Sequence, residues 1–392
     1  MSRSERSETK IKRAGAAAHQ TQAREDQTHT ATARTPAARK ASAREVKARQ
    51  VKKSGATSFA ASRRAPSEQP AEQPCVAVVG AGRLGTALAL ALQRGGYRVV
   101  ALVARRAARA RLAARAFSPR PLALDATQLN LLPDTADLIF ITTPDDQIAQ
   151  VAARLAEASA ARLAEASAAR GASSPSARRR RRRVALHASG ALASDALAPL
   201  GAHGFGLGSL HPLVSISDPA SGARNLRGAF YCLEGEARAL TAARKIVRAL
   251  GGRSFSLAAR DKSLYHAAAV IASGHTVALF SLAADLLARC GLSQARARQV
   301  LLPLLASTLD NLRAHAPDEA LTGTFARADL ATVRRHLAAL AAAEDVRGAT
   351  AVYALLGERA LHLAAGRRQF DSSVASEIAL LLQKALSASG RA

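Results

Sequence analysis

Cys75-Val-Ala-Val-Val-Gly80-Ala-Gly-Arg-Leu-Gly85 is the stretch on which the reading of this chain turns. Cys75–Val79 is a short apolar run of strand type, and three glycines follow it at once in the spacing GxGxxG. A helical pattern then carries Leu84, Leu88 and Leu92 on one face as far as Gly95, and a second apolar run, Arg98–Val103, comes next. Strand, tight turn, helix, strand is the unit that builds parallel sheet. In that context Gly80 permits the turn and Gly82 lets a pyrophosphate approach the backbone. Gly85 lets helix and strand pack closely, and the helix opened by Arg83 and Leu84 offers amides to phosphate. A lone GxGxxG is weak evidence; one placed after a strand and opening a helix predicts a dinucleotide site.

The second run ends in Ala104-Arg105-Arg106. A site selective for NAD(H) would place a carboxylate there for the ribose 2′-hydroxyl, whereas guanidiniums pair with a 2′-phosphate. NADP(H) is therefore expected in preference to NAD(H). A later apolar run, Asp137–Thr142, ends in Thr143-Pro144, which should lie on the nicotinamide side.

Outward from this core the chain changes character. Residues 1–73 are rich in Ala, Arg, Ser, Thr and Gln with few large apolar side chains, a composition that cannot offset chain entropy, so a disordered basic tail is expected. Arg154–Ala161 is repeated as Arg162–Ala169, and a Gly/Ser/Pro stretch then leads to six arginines, Arg178–Arg183. This reads as a duplication plus low-complexity insertion, about 154–183, interrupting a helix in a surface connection. The net charge of +27 is concentrated in these two segments, which carry +9 (residues 1–74) and +7 (154–183). Contact of the tail or the arginine run with nucleic acid is thus open but not favoured, since the charge does not belong to a folded face.

The α/β pattern extends over 74–258, and a helical pattern fills 259–366 with breaks near Gly291, Pro317, Leu321–Gly323 and Gly348. Residues 367–392 read as a weakly ordered tail. Ala267–Ala284 runs 18 residues without an acidic or basic side chain; Ser, Gly, His and Thr within it favour a helix buried in a protein core over a membrane span. Three scattered cysteines give neither a disulfide framework nor a zinc site, so no metal is expected and a cytoplasmic setting fits.

Four further motifs carry a resemblance: His187-Ala-Ser-Gly190, Gly208-Ser-Leu-His-Pro212, Lys262-Ser-Leu-Tyr-His-Ala-Ala-Ala-Val270 and Ala320-Leu-Thr-Gly323. Together they resemble a bacterial family of oxidoreductases in which a Rossmann-like domain precedes a domain of unknown function. Its wider relatives are pyrroline-5-carboxylate reductase, ketopantoate reductase, prephenate dehydrogenase and the β-hydroxyacid dehydrogenases. The resemblance covers roughly Cys75–Ala365 without the insertion. It implies an α/β Rossmann domain followed by an all-α C-terminal domain of 6-phosphogluconate-dehydrogenase type, a site between them, and a homodimer formed through the helical part. The chain departs from the family pattern at Leu321–Asp329, which lacks a Pro and a Gly, and at Ser273-Gly274, where Ser-Asn is usual.

Hydride transfer to a carbonyl or imine needs a proton donor nearby. Lys262 and His266, four apart, share a helix face. With the resemblance, Lys262 is the expected acid/base, its pKa lowered by burial, and His266 or Tyr265 orients the substrate. His211, made extended by Pro212, is a further catalytic candidate. Ser189 and Gly190 are expected to form a substrate-binding turn, with Thr322 and Arg327 contacting a small, anionic hydroxy, keto or imino substrate. The competing reading is a non-catalytic NADP(H)-binding sensor or interaction protein.

Overall fold

The computed structural model describes residues 74–389 apart from 133, 170–182, 344, 368 and 369. The expected basic tail and most of the arginine run therefore lie outside the described residues.

The α/β part follows the predicted order. β1 (Cys75–Val79), α1 (Arg83–Arg94) and β2 (Arg98–Ala104) form the opening unit, and α2 (Ala107–Ala114), β3 (Leu122–Asp125), β4 (Leu138–Ile141), α3 (Asp145–Ala169) and β5 (Val184–His187) follow. A short α4 (Ala198–Gly201), β6 (Gly206–Pro212), α5 (Pro219–Asn225), β7 (Phe230–Gly235), α6 (Ala237–Ala249) and β8 (Arg253–Ser256) complete it. The eight strands make one sheet in the order β3-β2-β1-β4-β5-β6-β7-β8. Val76 and Val78 of β1 pack into an apolar core on one face, with Leu88 and Leu92 of α1 and Ile246 of α6. Ala77 and Val79 pack into a second core on the other face, with Ile148, Ala152 and Leu155 of α3. Alternate side chains of one strand thus serve two helix layers, the condition under which a parallel strand reads as continuously apolar.

The direction of the strands positions the rest. β1 to β6 are parallel neighbours, but β7 runs antiparallel to β6, and β8 is parallel to β7. The chain therefore leaves β8 heading away from the carboxyl ends of β1 and β4–β6. α7 (Lys262–Val270) reverses that course: Lys262 lies beside Ser209 in the middle of β6, and Tyr265 one turn later reaches His211 near its end. A π-helical turn, Ile271–His275, joins α7 to α8 (Thr276–Arg289), and the sequence continues as α9 (Gln294–Ala314), a short α10 (Pro317–Ala320), α11 (Leu330–Ala341), α12 (Ala349–Ala364) and α13 (Ser372–Ser389).

Three expectations need correction. The repeated octapeptide does not interrupt its helix, because both copies are good helix formers and α3 runs unbroken through them to Ala169. The C-terminal stretch is not weakly ordered: Ile378 and Leu382 of α13 are fully buried against Val333, Ala354 and Leu361. The uncharged stretch of α7–α8 is not buried within this chain either. Ile271 is 61% and Val277 69% exposed, and the continuous helical span Ala259–Arg289 is long and apolar enough, by length and composition, to cross a membrane.

Candidate functional site

Two clefts open at the carboxyl ends of the strands, the edge at which open α/β sheets bind ligands. The first, of about 530 Å³, lies over β1, β2 and β4. Gly80 adopts φ +117°, and a Cβ there would lie 2.6 Å from the carbonyl carbon of Thr142. Its amide donates to Val103 O at 2.9 Å, and its carbonyl accepts from Thr142 Oγ1 at 2.8 Å, so the turn is tied to both neighbouring strands. A Cβ on Gly85 would collide with the Gly80 carbonyl oxygen, whereas at Gly82 the nearest atom is 4.0 Å off. The three glycines thus do different work: one turns, one packs, and one leaves the backbone open. Gly82 begins α1 without a side-chain cap, and the buried Thr143 Oγ1 has no protein partner. A bare helix start, an open glycine and an orphaned hydroxyl fit a dinucleotide.

Arg105, Thr143 and Pro144 line this cleft, as do Arg109, Gln147 and Arg154, which the sequence reading did not single out. Arg109 had a visible signal, standing one helical turn after Arg105; Arg154 had only its place on a helix face shared with Gln147 and Val151. Arg83, Leu84 and Arg106 are outside the lining: Arg83 is exposed at the start of α1, Leu84 half-buried, and Arg106 an exposed residue capping α2.

The second cleft, of about 420 Å³, lies between the end of β6 and α7 with its π-turn. His211 and His266 supply its main polar groups, with Ser215 and Ser273; Leu213, Val214 and Val270 are among the remainder, and among the described residues no Asp, Glu, Lys or Arg lines it. His211 Nδ1 is 2.6 Å from the Tyr265 hydroxyl, and the His211 and His266 rings meet edge to face at 5.5 Å. Gly190 is the floor: a Cβ there would overlap His266 Nδ1 and lie 2.9 Å from His211 Nε2. His266 Nδ1 is buried and without a protein hydrogen-bond partner. Burial, then the neighbouring His266 and Lys262, lower the His211 pKa to about 4, so its imidazole is neutral at pH 7. The Tyr265 hydroxyl is pushed up by burial and by its contact with Cys232.

A buried network fixes the floor. Ser189 Oγ donates to Asp145 at 2.7 Å and accepts from the Ala191 and Leu192 amides, while the Ser189 amide donates to His187 Nδ1. Lys262 is fully buried, and its ammonium donates to Ser189 O at 3.1 Å and to Ser209 Oγ. Burial lowers its pKa as expected, against the pull of Cys232, Glu234 and Asp145. Yet Lys262 lines neither cleft, because α7 turns this side chain under the Ser189–Gly190 turn. Its geometry is that of a brace beneath the turn and not of a side chain lining a cleft. Thr322 and Arg327 are exposed, on the segment whose Phe325 stacks on Tyr353 of α12, and neither lines a cleft.

Residues 75–164 match the family described as NADP oxidoreductase coenzyme F420-dependent, and residues 229–360 match a domain of unknown function, DUF2520. No protein of curated function matches in sequence. Among solved structures, a Bacteroides fragilis protein described as an NADP oxidoreductase is similar at 22% identity over 74% of this chain and 98% of its own, with a TM-score of 0.57. A Thermotoga maritima protein matches at 23% identity over 75% and 99%, with a TM-score of 0.53. At these identities the two structures establish the shared fold. Along the chain, then, a segment similar to the coenzyme-F420-dependent NADP oxidoreductase family is followed by one similar to the DUF2520 domain.

Proposed function

We propose that this protein is an NADP(H)-dependent oxidoreductase acting on a small hydroxy, keto or imino compound. The observation that carries the reading is the pairing, on one sheet edge, of a glycine-and-arginine cleft with a second cleft holding two histidines backed by a tyrosine. Gly80, Gly82 and the start of α1 would hold the pyrophosphate, Arg105 the 2′-phosphate, and Thr143 with Pro144 the nicotinamide side. Among the described residues no carboxylate lines this cleft, which supports NADP(H) over NAD(H). A bound nicotinamide supplies or accepts hydride. The match to the F420-dependent family covers only the dinucleotide-binding half, so it speaks for the nicotinamide coenzyme and not for F420.

In the second cleft the protein's own groups would manage the proton. Reduction of a carbonyl builds negative charge on oxygen, and the neutral His211 imidazole, with the Tyr265 hydroxyl 2.6 Å behind it, can donate to that oxygen and be resupplied. His266 lines the same cleft, and its buried Nδ1 faces Gly190, where any side chain would displace the ring. Arg327 stands apart and, among the described residues, no cationic side chain lines the cleft, which supports an uncharged substrate portion there. We also infer that a second copy of the chain covers the exposed apolar side chains of α7–α9, among them Ile271, Val277, Leu302 and Leu304.

The test is NADPH consumption by the full chain against neutral ketones, cyclic imines and 2-keto acids. Turnover of a neutral compound, reduced about 100-fold by His211→Phe with NADPH affinity unchanged, is expected. Preference for the keto acids would overturn the uncharged-substrate reading. Tight NADPH binding without turnover of any compound would favour the sensor reading instead.

A further inference from the structure

The two copies of the octapeptide in α3 place equivalent arginines in unlike settings. Eight residues of α-helix rotate a position by roughly 80° beyond two full turns and carry it about 12 Å along the axis. Arg162, in the second copy, consequently faces the segment before β4, where it donates to Leu132 O at 2.6 Å and Leu129 O at 3.4 Å and pairs with Asp134 at 3.1 Å. Arg154, in the first copy, faces the dinucleotide cleft, one of whose walls is Leu129 itself. One copy pins the rim while the other reaches inside it.

Among the described residues Arg154, Arg105 and Arg109 have no side-chain hydrogen bond or ion pair to protein. Three guanidiniums around one cleft, with no lining carboxylate among the described residues, repel each other, and a bound anion relieves that repulsion. The pyrophosphate has its own seat at Gly80–Gly82. Arg154 lies nine residues, about 13 Å of helix, beyond Asp145, at the end of the cleft away from Pro144. A ribose with a free 2′-hydroxyl would leave all three charges unanswered; a phosphomonoester dianion answers them.

We propose that Arg154 is a specificity-determining residue of the coenzyme site, joining Arg105 and Arg109 around the adenosine 2′-phosphate, while its duplicate Arg162 holds the rim. This rests on the NADP(H) reading. Calorimetric titration of the full chain with NADPH, NADH, adenosine 2′,5′-bisphosphate and 5′-AMP tests it. Arg154→Gln should weaken NADPH and the bisphosphate at least tenfold and NADH and 5′-AMP less than twofold, with an unchanged melting temperature. Arg154→Lys should recover part of the loss. Arg162→Gln should lower the melting temperature and weaken NADPH and NADH alike. Equal loss for all four probes in Arg154→Gln, or no loss, overturns the inference while leaving the coenzyme reading intact. A wild-type chain that binds neither nicotinamide coenzyme overturns that reading first.

Discussion

The two clefts share a sheet edge but are built on opposite physical terms. The dinucleotide cleft is made largely of backbone, with one glycine forced to positive φ and another to close approach, and its charged side chains among the described residues are Arg105, Arg109 and Arg154. The second cleft is made of side chains that are already engaged: His211 with Tyr265, and the floor at Ser189 with Asp145 and Lys262. Among the described residues no charged side chain lines it. A site formed by backbone tolerates little change in sequence and binds a fixed chemical group. A site formed by side chains over a braced floor can change its lining while keeping its shape, and Ser273 and Gly274 belong to that lining.

Three measurements would sharpen or break this contrast. The largest effect is expected from Gly85→Val, whose side chain would strike the Gly80 carbonyl: NADPH affinity should fall more than 100-fold, read by fluorescence titration. A variant that still binds within tenfold would show that the turn is not the coenzyme's seat. Next, Lys262→Met should cost roughly 2–4 kcal/mol in urea unfolding, since it strands Ser189 O and Ser209 Oγ, while NADPH affinity of the folded protein stays within about threefold. Loss of NADPH binding at full stability would contradict the brace.

The smallest effect concerns acid. Burial lowers the His187 pKa to about 4 from 6.5. Between those values the unfolded chain binds a proton that the folded chain refuses, so the stability from neutral His187 is complete above pH 6.5 and is lost as pH falls toward 4. From pH 7.5 to 5 the His187 share of the loss in urea unfolding should be about 2 kcal/mol, beside a like share from His211, and His187→Gln should remove its own share of that slope. An unchanged slope in the variant would show that His187 is not held neutral.

What could be read from the sequence follows the same contrast. Gly80, Gly82 and Gly85 were legible because backbone geometry leaves few substitutes, and Arg105 because it ends the second strand. His211 and His266 were visible as candidates through the motifs around them. The role of Lys262 was not, because helical spacing tells that it shares a face with His266 but not that this face lies beneath the Ser189–Gly190 turn. Arg154 escaped because the repeat around it looked like an insertion, and a helix that absorbs eight residues without breaking leaves no punctuation. The exposed α7–α8 escaped because an apolar helix reads the same in sequence whether its cover comes from its own chain or from elsewhere.

The buried ammonium of Lys262 also limits how a ligand can come and go. Rolling α7 off the sheet, jaw fashion, would strip a carbonyl, a hydroxyl and a full charge of their partners together, a cost of several kcal/mol on each catalytic cycle. The seam between sheet and α7 therefore behaves as a weld, and traffic must pass along the open rim, where Ser273 and Gly274 of the π-turn meet Val214 and Ser215.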